Sequence, residues 1–291
     1  MLKSMTGYGR TEEVVGDKTF LVEIKSLNGK QFDINLRLPA ILKSAEFDIR
    51  SILSEQLQRG SIDCVISLKE TGSAKPVTIN TSLAKAYYEP IREIATTLGL
   101  DTSSILSALL KLPEVITPAA ETLSAEEWNG FKQVLLSAIG NLNKHREEEG
   151  SALEKDILNR VANIEALQQE IAALEPARKQ RMRETLEKQL LEQVPKDSVD
   201  QNRMEQELIY YIEKLDIHEE QIRLGNHCQY LREIIAEPGD IKGKKISFLL
   251  QEVGREINTT GSKASDSGIQ KLVVQMKDEL EKAKEQVLNV L

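Results

Sequence analysis

Residues 123–172 read LSAEEWNGFKQVLLSAIGNLNKHREEEGSALEKDILNRVANIEALQQEIA, and apolar side chains return there every three or four positions with almost no breaker between them. That spacing lines them up on one stripe of an α-helix. A helix of this length exceeds the globular norm and suggests an arm, folded as a coiled hairpin. Glu175-Pro176 reads as the start of the next helix, rich in charge at Arg178, Lys179, Arg181, Arg183, Glu184, Glu187 and Lys188, and Pro195 closes it. So long a stripe exceeds what a chain of 291 residues can cover by itself. An assembly larger than a dimer is therefore expected. The plainer reading of the mixed charge on 123–195 is a solvated helical face.

On the N-terminal side of the arm, residues 1–40 read as strands and turns. Thr19 to Lys25 has the β-branched, alternating character of a strand, and Asn28-Gly29 is a strong hairpin signal. Phe32 to Leu38 alternates strictly until Pro39 stops it. A helix is expected over 44–58 with Gly60 just past its end, then a strand from Ser61 to Lys69. Val77 to Asn80 reads as a short strand, and Thr81 or Ser82 caps a helix reaching Thr97. The stretch 101–120, broken by Pro113 and Pro118, reads as a connection.

On the C-terminal side, a helix is expected from Val199 to Ala236, a turn at Glu237-Pro238-Gly239-Asp240, and two helices over 244–258 and 266–289. The fold class is therefore α+β: a small N-terminal α+β sheet domain (1–120), a helical arm (121–198) and a helical C-terminal domain (199–291).

Aromatic residues make up only 4% of the chain, so its core must be built from Leu, Ile, Val and Ala. The formal charge of −8 argues against a protein that grips nucleic acid by bulk charge, and leaves room only for a local basic surface or recruited cations. Cys64 and Cys228 stand far apart in no CxxC pair, which argues for buried thiols in a reducing compartment. The opening MLKSMTGYGRTEE has no apolar run suited to a signal peptide, and no segment is apolar enough to span a bilayer. A cytoplasmic protein with no membrane partner is expected.

The last ninety or so residues hold the densest polar pattern. Asp216, Glu220, Arg223 and His227 would share one helical face, where carboxylates and an imidazole can ligate a divalent ion and an arginine can hold a phosphate. The bland alternative is an exposed ion-pair ladder. Glu252 and Glu256 fall at i and i+4 with Arg255 and Gln251 alongside, and two acids at that spacing repel unless a cation or a neighbour's arginine lies between them. Asn258 to Lys263 gathers small polar groups and a lysine at a helix end, suited to a phosphate backbone or simply to a C-terminal cap on Gly261. There is no GxSxG, Walker A loop, HExxH or GxGxxG, and three histidines cannot furnish a His-rich centre. His145, amid Arg146 and Glu147 to Glu149, reads as solvated.

These residues resemble a known family. Ser4-Met5-Thr6-Gly7-Tyr8-Gly9-Arg10, Glu23 to Lys30, Arg37-Leu38-Pro39 and Arg59-Gly60 look like the first part of the YicC/YloC family. Glu219-Glu220 with Arg223 and His227, and Phe248 through Gln251-Glu252, Arg255-Glu256, Asn258-Thr259 and Ser262-Lys263, resemble its second part. Thr260-Gly261 is a minor departure. The resemblance covers both ends of the chain and only the helical character of the middle. It implies an endoribonuclease that cuts single-stranded RNA with a divalent metal (Mn or Mg), works as a ring-like homohexamer and serves RNA turnover, small regulatory RNAs included. Glu220, His227, Glu252 and Glu256 are then the expected metal ligands, with Arg223 and Arg255 completing the catalytic set. Lys3, Arg10, Lys25, Arg37 and Lys263 are the expected RNA contacts. Competing readings are a non-catalytic RNA-binding adaptor that delivers RNA to another nuclease and a purely structural helical assembly protein.

Overall fold

The computed structural model describes all residues except 30, 58, 71–76, 102, 104, 119–122, 194–200 and 240. Strands β1 (Gly7–Val15) and β2 (Lys18–Leu27) form an antiparallel hairpin around Gly16, whose φ of 64° only glycine adopts freely in such a tight turn. β3 (Asp33–Arg37), α1 (Glu46–Leu57, entered through a 3-10 turn at Ala40–Ala45) and β4 (Ser61–Glu70) follow. The sheet order is β1-β2-β4-β3, with β4 antiparallel to β2 and parallel to β3. The expected hairpin at Asn28-Gly29 is thus absent: β4 sits between β2 and β3, and α1 supplies the crossover that a parallel pair requires.

The stretch read as a connection is also folded. β5 (Val77–Ile79) pairs with β6 (Ile116–Pro118), and α2 (Thr81–Thr97) and α3 (Ile105–Leu109) lie between them around Ala95, Ile105 and Leu109. Asn80, rather than Thr81 or Ser82, caps α2 by accepting from the Leu83 amide at 3.1 Å.

A single helix, α4 (Ala125–Gln193), then runs for roughly 100 Å at 1.5 Å per residue. It passes straight through Pro176, so the expected break into two helices does not occur. Arg178, half a turn beyond, is buried and ties the helix down. Its guanidinium donates to Glu175 at 2.9 Å, to the Ala264 carbonyl at 2.9 Å and to the Leu215 carbonyl at 2.6 Å. Such anchoring offsets the hydrogen bond a proline removes. The expected closure at Pro195 lies outside the described residues.

α5 (Gln201–Lys214), α6 (His218–Ala236), α7 (Gly243–Ala264) and α8 (Ser267–Val287) complete the chain. The helix expected to run unbroken to Ala236 stops at Lys214 and restarts at His218; its expected start at Val199 and the Asp240 of the turn fall outside the described residues.

The apolar stripe of α4 serves two cores. Phe131, Val134, Leu135, Ala138, Ile139 and Leu142 pack on Phe20, Val22 and Ile24 of the sheet and Ile49 and Leu53 of α1. Leu153, Ile157, Val161, Ile164 and Ile171 pack against α6, α7 and α8. The stripe is therefore covered within one chain, and the expectation that only an assembly could bury it fails on that ground. α4 lies directly on β1 because Gly9 offers no side chain: a Cβ there would stand 2.2 Å from the Ala138 carbonyl. Cys64 and Cys228 are buried free thiols, and loss of solvent pushes both up to about 12. Among the described residues no helix is long and apolar enough to cross a membrane.

Candidate functional site

A short turn joins α6 to α7, so the two helices pack antiparallel. Their register is fixed by two contacts: Lys263 Nζ donates to Glu220 Oε1 at 2.7 Å, and Gln221 Nε2 donates to Thr260 Oγ1 at 3.2 Å. His227 lies two turns along α6 from Glu220, and Glu256 two turns back along α7 from Lys263, so the two come level on facing edges of the seam. Glu252 is one turn further on the same edge of α7. The structure thus strings Glu220, His227, Glu256 and Glu252 along one seam. Among the described residues, though, no three acidic, His or Cys side chains converge tightly enough to hold a metal.

The electrostatics of the seam are uneven. Glu220 and Glu256 are both 5% exposed. Glu220 has Lys263 on one oxygen, while its Oε2 and the Oε1 of Gln221 are sealed with no donor among the described residues. No ion pair reaches Glu256 among the described residues. A buried carboxylate oxygen without a partner is costly, so the seam is rich in oxygen acceptors and short of positive charge. Gln221 was not singled out from sequence, and Thr260 only as one of the small polar residues of the Asn258 to Lys263 run. Only the α6–α7 register reveals them, since neither residue type is distinctive by itself.

Arg223 and Arg255 are exposed on the flanks, paired with Glu219 at 2.5 Å and Glu252 at 3.9 Å. Asp216 does not join the face expected of it. It precedes α6, accepts from the His218 amide at 3.2 Å and pairs with Lys179 at 3.1 Å. Burial works to raise its carboxyl, but the ammonium and the amide together hold it below the usual range. Beside the seam, an open groove of about 510 Å³ between α4 and α6 is lined by Glu165, Gln168, Gln169, Ala172, Gln221 and Gly225.

Three of the five expected RNA contacts gather elsewhere. Alternation along the strands puts Tyr8, Arg10, Lys25 and Arg37 on the sheet face turned away from α4, in adjacent rows that also carry Glu23, Asp63 and Asn35. Lys25 Nζ lies 5.9 Å from the centre of the Tyr8 ring, whose hydroxyl donates to Glu23 at 2.7 Å. That hydrogen bond raises the Tyr8 phenol above its ordinary value. Lys3 is apart from this face, 3.3 Å from Glu147 on α4, and Lys263 is held by Glu220.

Residues 2–155 match a family described as endoribonuclease YicC-like, N-terminal region, and residues 171–291 match its counterpart described as endoribonuclease YicC-like, C-terminal. The chain belongs to the YicC-like endoribonuclease family. A protein of Clostridioides difficile (strain 630) named probable endoribonuclease YicC is 34% identical over 296 residues, covering 100% of both chains. One of the same name from Haemophilus influenzae is 28% identical over 295 residues, again across 100% of each chain. The boundary between the two YicC-like matches falls within α4, the element that the two hydrophobic cores share.

Proposed function

We propose that this chain is a metal-dependent endoribonuclease that cleaves single-stranded RNA as a homo-oligomer of six subunits. The observation that carries the reading is the match of both YicC-like endoribonuclease regions, in order, along nearly the whole chain. The expected substrates are RNAs undergoing turnover, small regulatory RNAs among them.

The α6–α7 seam supports the assignment of the chemistry. Its oxygens at Glu220 and Gln221, unpartnered among the described residues, and the buried Glu256 without an ion pair among them, fit a divalent cation in chemical type. Glu220, His227, Glu252 and Glu256 would hold it, a mixed oxygen and imidazole set suited to Mn²⁺ or Mg²⁺. Among the described residues the set does not close, so ligands from a second subunit or a tightening of the seam complete it. When bound, such an ion offsets charge developing on the phosphate and eases deprotonation of an attacking oxygen. The chain's own groups do the rest: Arg223 and Arg255, exposed beside the seam, exchange their intrahelical partners for the scissile phosphate.

The test is incubation of purified protein with end-labelled single-stranded RNA, with Mn²⁺ or Mg²⁺ and with EDTA. Internal cleavage that EDTA abolishes is the expected result. RNA binding with no cleavage under any metal would replace the nuclease with an adaptor.

A further inference from the structure

Arg146 and Arg178 are the two arginines of the described residues that the fold buries, at 3% and 4% exposure, and they are treated very differently. Arg178 has a carboxylate, Glu175, on its Nε and Nη2, with carbonyls completing its partners. Arg146 has no counter-charge among the described residues. Its Nη2 donates to Ser26 Oγ at 2.5 Å and to the Arg59 carbonyl at 3.3 Å, both neutral acceptors, and its Nε is sealed with no partner. Of the three acids that follow it in sequence, Glu149 accepts from Thr6 at 2.8 Å, Glu147 faces Lys3, and Glu148 is exposed, about 200° round the helix from Arg146. Arg59 repeats the pattern, with an Nε that is sealed and unpartnered and no ion pair among the described residues.

A buried guanidinium with no anion is strongly unfavourable. The surroundings are nonetheless built to keep it. Gly7 leaves room for the side-chain stem of Arg146, since a Cβ there would stand 2.9 Å from its Cγ. Ser26 spends its own proton on the Met5 carbonyl at 2.6 Å, leaving only an acceptor for Arg146. Gly60, at φ 110°, turns the chain so that the Arg59 carbonyl meets the guanidinium. Nη1 of Arg146 and the terminal nitrogens of Arg59 make no hydrogen bond among the described residues and, unlike the two Nε atoms, are not wholly sealed, so each guanidinium keeps unspent donors on its outer edge.

We propose that Arg146 and Arg59 form a phosphate-binding site where α4, the end of β2 and the turn before β4 meet, and that it takes a phosphate group of the RNA. The RNA part rests on the endoribonuclease reading; the phosphate part does not. A phosphate presents the several oxygens and the charge that forked donors lack here, and arginine suits it better than lysine. It comes either from a 5′-terminal monoester or from an internal diester.

Arg59→Ala is the decisive variant, because the Arg59 side chain bonds nothing among the described residues and its backbone carbonyl is retained. Two measurements are made in EDTA: thermal stabilisation by inorganic phosphate against chloride at equal ionic strength, and filter binding of a 2′-O-methyl oligonucleotide bearing a 5′-phosphate or a 5′-hydroxyl. Phosphate should stabilise the unaltered protein beyond chloride and lose that effect in Arg59→Ala. Oligonucleotide affinity should fall about tenfold or more, as for a lost charged hydrogen bond. A loss confined to the 5′-phosphorylated strand assigns the monoester; an equal loss on both strands assigns the diester. Arg146→Lys, which keeps the charge without the fork, should weaken binding in the same direction. Equal phosphate response and equal affinity in Arg59→Ala overturn the site while leaving the nuclease reading standing. A phosphate response in a protein that binds no oligonucleotide removes the RNA part alone.

Discussion

Glu220 and Lys263 are bound to each other's fate. Glu220 is buried and its second oxygen has no donor, so Lys263 is its sole partner of opposite charge among the described residues. Lys263→Met should therefore destabilise the fold by roughly 1–3 kcal/mol, below the full cost for a deeply buried pair because Lys263 is itself partly exposed. Adding Glu220→Gln to that variant should restore most of the loss. Urea unfolding of the two single variants and the double variant measures this, and simple additivity would show that the pair does not interact. Glu252→Gln with Glu256→Gln tests the other edge of the seam. Neither carboxylate has an ion-pair partner on another element among the described residues, so the melting temperature should hold or rise, while RNA cleavage falls by orders of magnitude. Full cleavage by the folded double variant would move the reaction away from α7.

The contact between α4 and α8 has a charged pin. Glu279 on α8 accepts from Asn163 at 2.8 Å and Arg160 at 3.2 Å, both on α4, with Lys282 also within reach. These partners, the Asn163 amide foremost, hold its carboxyl down at about 2, against burial, which would raise it. The folded value lies below the ordinary one, so the stabilisation is present above about pH 4.5 and is lost as pH falls toward 2. Glu279→Gln should cost roughly 2 kcal/mol at neutral pH, the scale of hydrogen bonds to a charged group, and the difference from the parent should vanish across that acidic window. A pH-independent difference in the urea midpoint would mean that shape, not charge, is what the residue supplies. Elements with a clean local pattern were legible in the sequence: β2, β3, β4, α1 and α8 all fall close to where alternation or helical spacing puts them. α7, by contrast, runs on past the expected end at 258 to Ala264, with Ser265 rather than Gly261 in the left-handed capping conformation. β1 was not singled out as a strand, because its inward positions are Gly9 and Thr11 rather than large apolar residues. The order of the sheet was hidden for a different reason. Asn28-Gly29 signals a hairpin locally, whereas the real neighbour of β2 arrives only after α1. Pro176 misled because a local rule was outweighed by the distant anchoring of Arg178. At the seam, the residue types could be picked out from sequence, but the Glu220–Lys263 pair depends on how two helices slide past each other.

With its apolar stripe already covered, the proposed assembly would have to rest on other surfaces. α5 exposes Ile209, Tyr210 and Tyr211, and Leu174 is partly exposed on α4. Six-fold assembly should appear in light scattering at micromolar concentration, and a stable monomer there would remove the oligomer from the proposal. The shared helix also sets the two cores in phase with each other. Leu142 is the last α4 residue in the sheet core and Leu153 the first in the helical core; eleven positions at about 100° each make close to three whole turns. Both cores are therefore keyed to the same side of one shaft. Deleting a single residue between 147 and 152 would turn the C-terminal half by about 100° and draw it in by about 1.5 Å, out of phase with the sheet. Thermal unfolding should show such a deletion to be ruinous, while Glu148→Ala, an exposed change at the same place, moves stability by less than about 0.5 kcal/mol. An exposed side chain such as Glu148 can change here, whereas Gly150 cannot, because a Cβ there would run into the Leu2 backbone; the number of residues in the stretch is held just as firmly.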